Sequence, residues 1–92
     1  MSKRQKLIQK WRDDPPPEES FDKIKSVLEY YDFEIRKGKH WVASHDKLKE
    51  LPDFQAGEIV IPTKHGRMVK RFYIKRIVVA LELIGAFDDS EE

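Results

Sequence analysis

The sequence predicts an α+β domain with a three-stranded antiparallel sheet, helices packed on one sheet face and the other face open. Two sets of periodic apolar residues and three intervening strand-like stretches carry that prediction. Phe21, Ile24, Leu28 and Tyr31 recur at i, i+3, i+7 and i+10, and Ile74, Ile77, Val78, Leu81 and Ile84 at i, i+3, i+4, i+7 and i+10. Both spacings place their apolar residues on one side of an α-helix. Between them, residues 33–36, 39–45 and 58–62 have the alternation or β-branched content of strands. Helices on one face of an antiparallel sheet leave the other face to solvent.

The elements follow in order. Residues 2–12 form a short helix, with Leu7, Ile8 and Trp11 as a thin apolar stripe that needs the domain body to dock on. Asp13-Asp14-Pro15-Pro16-Pro17 ends it, since residues before proline leave the helical region and the prolines favour extended chain. Ser20 is a suitable N-cap for the second helix, although Lys23 stands where a capping box needs an acid, and Asp22 suits the helix dipole. Phe33-Glu34-Ile35-Arg36 is strand one. Lys37-Gly38 turns the chain, Gly38 supplying backbone freedom, and strand two runs to His45. Residues 46–57 are long for a hairpin connection and read as an insertion containing a helical turn near Lys47 to Leu51. Glu58-Ile59-Val60-Ile61 is strand three, stopped by Pro62. A basic turn at 63–67 precedes the last helix, which starts near Arg71 and stops at Gly85. Residues 1–87 thus form one domain, with the N-terminal helix and Pro-rich connector in 1–19 and the core in 20–87. Phe87 folds back on the core, and the acidic tail, 88–92, is expected to be disordered.

Composition narrows the function. The 92 residues are 38% charged and 39% apolar, so burial is concentrated on few faces. The chain has no cysteine, which excludes disulfides and thiolate zinc sites and is compatible with a cytoplasmic location. Its longest strongly apolar run, 77–81, is far short of a membrane span, and its first residues lack the apolar segment of a signal peptide. The net charge of +1 hides a division: Lys64, Arg67, Lys70, Arg71, Lys75 and Arg76 have no acid among them, while Asp13, Asp14, Glu18, Glu19 and Asp22 cluster elsewhere. A basic block of this kind is the form a nucleic-acid footprint takes; a solvated basic face has the same composition.

His40 is the candidate for chemistry. If Trp41 and Ala43 face the core, alternation places His40 and Ser44 toward solvent, with Val42 a small exception. An exposed imidazole amid Arg36, Lys37 and Lys39 is a usable base. His45 shares the parity of Trp41 and reads as a partly buried strand-end residue; His65 lies in a basic turn where it can contact phosphate. Spacings of five and twenty residues among the three histidines form no zinc-ligand pattern, and no cofactor motif is present.

Taken together, the second helix, the turn 36–38, Gly38-Lys39-His40, Ile59-Val60-Ile61-Pro62 with His65, and the basic start of the last helix over 70–83 resemble the HicA-type toxins of bacterial toxin–antitoxin pairs. The resemblance spans about residues 5–85, including an N-terminal helix and Pro-containing linker as in longer members. Lys39 stands where the family usually has serine, and 46–57 is longer than in compact members. The resemblance implies a fold similar to double-stranded-RNA-binding domains, mRNA cleavage through His40, and a HicB-type antitoxin that covers this histidine. Arg36, Lys37, Lys39, Lys64, His65, Arg67, Lys70, Arg71 and Lys75 are then the expected RNA-binding residues. No metal, cofactor or membrane partner is expected. The competing reading is a non-catalytic domain that binds double-stranded RNA or an antitoxin.

Overall fold

The computed structural model describes residues 2–91. The chain runs α1 (Lys3–Asp13), β1 (Glu18–Ser20), α2 (Phe21–Tyr30), β2 (Glu34–Lys37), β3 (Trp41–Ser44), β4 (Glu58–Ile61), β5 (Met68–Lys70) and α3 (Arg71–Leu83). Strands β2, β3 and β4 form the expected antiparallel sheet in that order. Its registers align Ile35 with Ala43 and Ala43 with Ile59, and Trp41 with Ile61. Side chains alternate across a strand, so these residues share one face. There Ala43, Ile59 and Ile61 are buried with Ile24, Leu28, Ile74, Ile77 and Leu81 of α2 and α3. Arg36, Val42 and Val60 share the opposite face, where Arg36 and Val60 are exposed.

Strands β1 and β5 add a second, two-stranded antiparallel sheet that the periodicity does not announce. Glu18 pairs with Lys70, Glu19 with Val69 and Ser20 with Met68. Ser20 does occupy the N-cap position of α2, but its side chain makes no capping bond. Its backbone belongs to a strand, and the Phe21 N–H donates instead to the Arg67 carbonyl at 2.8 Å. At the other helix, the Ser2 hydroxyl caps α1 by accepting from the Gln5 N–H. α1 buries Ile8 and Trp11, and the Trp11 indole N–H donates to the Glu19 carboxylate, fixing α1 to β1.

One expectation about a loop changes. Residues 46–57 are not a mere insertion: two 3-10 turns, Asp46–Leu48 and Gln55–Gly57, bring Leu48 and Phe54 into the core. Burial of those side chains drives the loop down onto the domain. The chain beyond α3 turns back on the domain, as expected for Phe87. Gly85, at φ +87°, reverses the backbone, Ala86 is buried, and Ala86–Glu91 winds into 3-10 turns. Arg12 of α1 lies over the Phe87 ring, 4.5 Å from its centroid. Of the acidic tail, Glu92 lies outside the described residues. Among the described residues no helix is long and apolar enough to cross a membrane.

Candidate nucleic-acid interface

Trp41 fixes one end of the sheet. Its ring stacks on Phe21, the first residue of α2, with centroids 4.7 Å apart and planes 26° from parallel. The ammonium groups of Lys37 and Lys25 lie 5.3 and 5.5 Å from the same ring, within the range of cation–π attraction. The residues just before Trp41 form the hairpin tip. Those just after its partner Ile61 lead through Pro62 and Thr63 into the basic turn. The hairpin tip and the basic turn therefore leave the same end of the sheet, and the start of α2 reaches that end through the Phe21–Trp41 stack and the Arg67 carbonyl.

His40 belongs to this tip and not to strand two as expected. Pairing ends at Lys37 opposite Trp41, leaving Gly38, Lys39 and His40 as the connection, closed by Gly38 N–H donating to the His40 carbonyl at 3.0 Å. The ring of His40 is exposed and makes no hydrogen bond or ring contact with the described chain. Gly38 is not in the left-handed region, and a Cβ added there meets nothing within 4 Å. The turn therefore does not depend on glycine's conformational freedom.

The basic turn is built differently. His65 and Gly66 both have positive φ, +54° and +71°, and the Arg67 N–H donates to the Lys64 carbonyl at 3.1 Å. Lys64 then pairs with Met68, so the turn leads directly into β5. A non-glycine residue at positive φ is uncommon, histidine being among the better tolerated. Beside this turn lies a cavity of about 310 Å³ lined by Ser20, Asp22, Lys64, His65, Gly66, Arg67 and Met68.

The structure divides the nine expected RNA-binding residues. Arg36 forms an ion pair with Glu58 at 2.6 Å, Lys64 one with Glu18 at 3.3 Å, and the Arg71 guanidinium donates to the Pro15 carbonyl. Lys37 leans on Trp41. The side chains of Lys39, Arg67, Lys70 and Lys75 have no partner in the described chain. Lys39, Lys64, His65 and Arg67 gather at the hairpin-tip end. Lys70 and Arg71 are three to four residues further along, and Lys75 sits a turn later on the exposed side of α3. The acidic cluster, separate in sequence, lies against the basic one: β1 carries Glu18 and Glu19 alongside β5. Sequence reading missed Lys25 and Phe21 as neighbours of Trp41. The available signal was that Lys25 follows Phe21 by four residues and so shares its side of α2.

His45 is structural. Its Nδ1 accepts from the Lys47 N–H and its Nε2 lies 3.0 Å from the Tyr31 carbonyl oxygen. Nε2 therefore carries the proton, and both nitrogens are occupied. Among the described residues no three His, Asp or Glu side chains converge as a metal site. Comparison with protein-family models, with curated proteins and with solved structures finds no match for this chain.

Proposed function

We propose that this chain is a HicA-like toxin, an RNA-cleaving domain in which His40 is the general base, held in check by a HicB-like antitoxin in the cytoplasm. The observation that carries the reading is the state of His40: an exposed imidazole with no structural duty, on a hairpin tip at the same sheet end as a basic turn. The order α2-β2-β3-β4-α3, interrupted by the short β5 that pairs outside this sheet, with both helices packed against one sheet face, supports the likeness to double-stranded-RNA-binding domains.

RNA carries its own nucleophile. In the proposed reaction His40 takes the proton of a 2′-hydroxyl as that oxygen attacks the adjacent phosphorus. The P–O5′ bond breaks, leaving a 2′,3′-cyclic phosphate, and the departing 5′-oxygen takes a proton from water or from the imidazolium just formed. A positioned base contributes about 100- to 10,000-fold. The phosphorane that develops is dianionic, so nearby cations lower its energy. Lys39, Lys64, Arg67 and Lys70 supply them, with His65 in phosphate contact beside them and Arg36, Lys37, Arg71 and Lys75 at the margins of the same surface. Slow turnover follows from having one base and no dedicated acid.

Induced expression in bacteria, with growth and mRNA integrity followed, tests the proposal. Growth arrest with mRNA fragmentation that disappears in His40→Ala is the expected result. Salt-sensitive RNA binding with intact mRNA and normal growth would replace it with the binding-module reading, Lys39 in place of serine then marking an inactive copy.

A further inference from the structure

α3 has two apolar faces. Ile74, Ile77, Val78 and Leu81 are buried in the core, while Phe72, Val79 and Leu83 are 65%, 48% and 50% exposed. Successive helical residues turn by about 100°, which places 72, 79 and 83 in one stripe on the side opposite the buried set. Isolated exposed apolar residues are ordinary, but three at i, i+7 and i+11 form a seam about 16 Å long. Beside that seam, on one flank, lie Lys75 and Glu82. Both are exposed, neither has an ion-pair partner in the described chain, and at seven residues apart they are too distant to pair with each other.

We propose that this face of α3 pairs with the same face of a second copy of the chain, antiparallel about a two-fold axis. In that arrangement Phe72 of one copy packs against Leu83 of the other, the Val79 side chains meet near the axis, and Lys75 of each copy faces Glu82 of the other. Two-fold interfaces are self-complementary in this sense, and residues of the same flank face each other when helices run antiparallel. Charge selects the occupant. An acidic partner answers Lys75 but meets Glu82 with like charge, and a basic one does the reverse; an identical copy answers both. The seam is shorter than a standard stable interface requires, so the dimer is a weak, concentration-dependent one. This pairing goes beyond the RNA reading and competes with RNA for Lys75 at the margin of that surface.

Sedimentation equilibrium of the full chain over a range of concentrations tests the pairing, with thermal unfolding as a check that variants remain folded. The parent should dimerise with rising concentration, and Val79→Lys should remain monomeric. Lys75→Glu and Glu82→Lys, each alone, should raise the dimer dissociation constant about tenfold. An equimolar mixture of these two variants should recover dimer, because every facing pair is again opposite in charge. A parent that stays monomeric up to about 1 mM overturns the proposal, whatever other protein it then binds through this face. So does a dimer indifferent to Val79→Lys, or one that the mixture fails to restore.

Discussion

The hairpin tip at 38–40 and the loop at 46–57 are both connections rich in charge, yet they do opposite things. The tip closes on one backbone hydrogen bond and leaves Lys39 and His40 exposed. The loop folds inward through two 3-10 turns and buries Leu48 and Phe54. Charge content does not separate them; the large apolar side chains of the longer segment, Leu48, Leu51 and Phe54, do. A connection without an apolar anchor is free to serve a partner, and one with an anchor serves the fold.

Replacing the anchor should have the largest effect. Phe54→Ala leaves a cavity in a small core and should cost about 3–5 kcal/mol, a large share of the roughly 5–15 kcal/mol that holds a domain folded. Denaturant unfolding measures it, and a loss under 1 kcal/mol would mean that the loop is not anchored as described.

Glycine substitutions sharpen the contrast. At Gly57 φ is +71°, and an added Cβ stands 2.8 Å from the His45 carbonyl oxygen and 3.1 Å from the Lys49 backbone nitrogen. Backbone cannot swing aside as a side chain can, so Gly57→Ala should destabilise by at least about 2 kcal/mol. Gly38→Ala, with neither strain nor neighbour, should lie within about 0.5 kcal/mol of the parent. Equal melting temperatures for the two variants would contradict this ordering.

The helical faces were legible because their apolar residues repeat at helical spacing, and the β2–β3 hairpin because 33–36 alternates and a short turn follows. Strands β1 and β5 were not. Glu18-Glu19-Ser20 has no apolar alternation, and its partner lies some fifty residues away. Separations of 46 and 22 residues hid the pairing of Glu18 with Lys64 and of Glu58 with Arg36, so Lys64 of the basic block and Arg36 beside the hairpin are partly neutralised in space. His40 was legible as an exposed histidine, but its place on the tip depends on where pairing stops, and alternation does not mark that point. The weight of 46–57 in the core was hidden because Leu48, Leu51 and Phe54 recur every three residues over only two intervals, and Pro52 interrupts them, too little to mark a helix.

His65 offers a smaller and opposite effect. Relief of the left-handed conformation is worth about 1–2 kcal/mol, and the added unfolded-state entropy of glycine cancels about 0.5–1 kcal/mol of it. His65→Gly should therefore raise stability by about 0.5 kcal/mol while weakening RNA binding. A stabilised variant with unchanged RNA affinity would remove His65 from the interface.

The smallest effect belongs to the exposed pair of Asp46 and Lys49, 2.9 Å apart. The hydrogen bond from Lys49, reinforced by its charge, holds the Asp46 carboxyl below the usual carboxylate range. A group lowered on folding contributes above its unfolded pKa and loses that contribution as pH falls through its folded one. Parent and Lys49→Ala should thus differ slightly in melting temperature at neutral pH and converge in acid, and the small difference should shrink with salt.

The central claim is that His40 serves reaction and not fold. Its most direct test measures thermal unfolding and cleavage of a defined RNA on purified parent and His40→Ala. Unfolding should differ by no more than about 0.5 kcal/mol, while the cleavage rate should drop about 100-fold or more. A folded His40→Ala variant that cleaves at the parent's rate would contradict the claim.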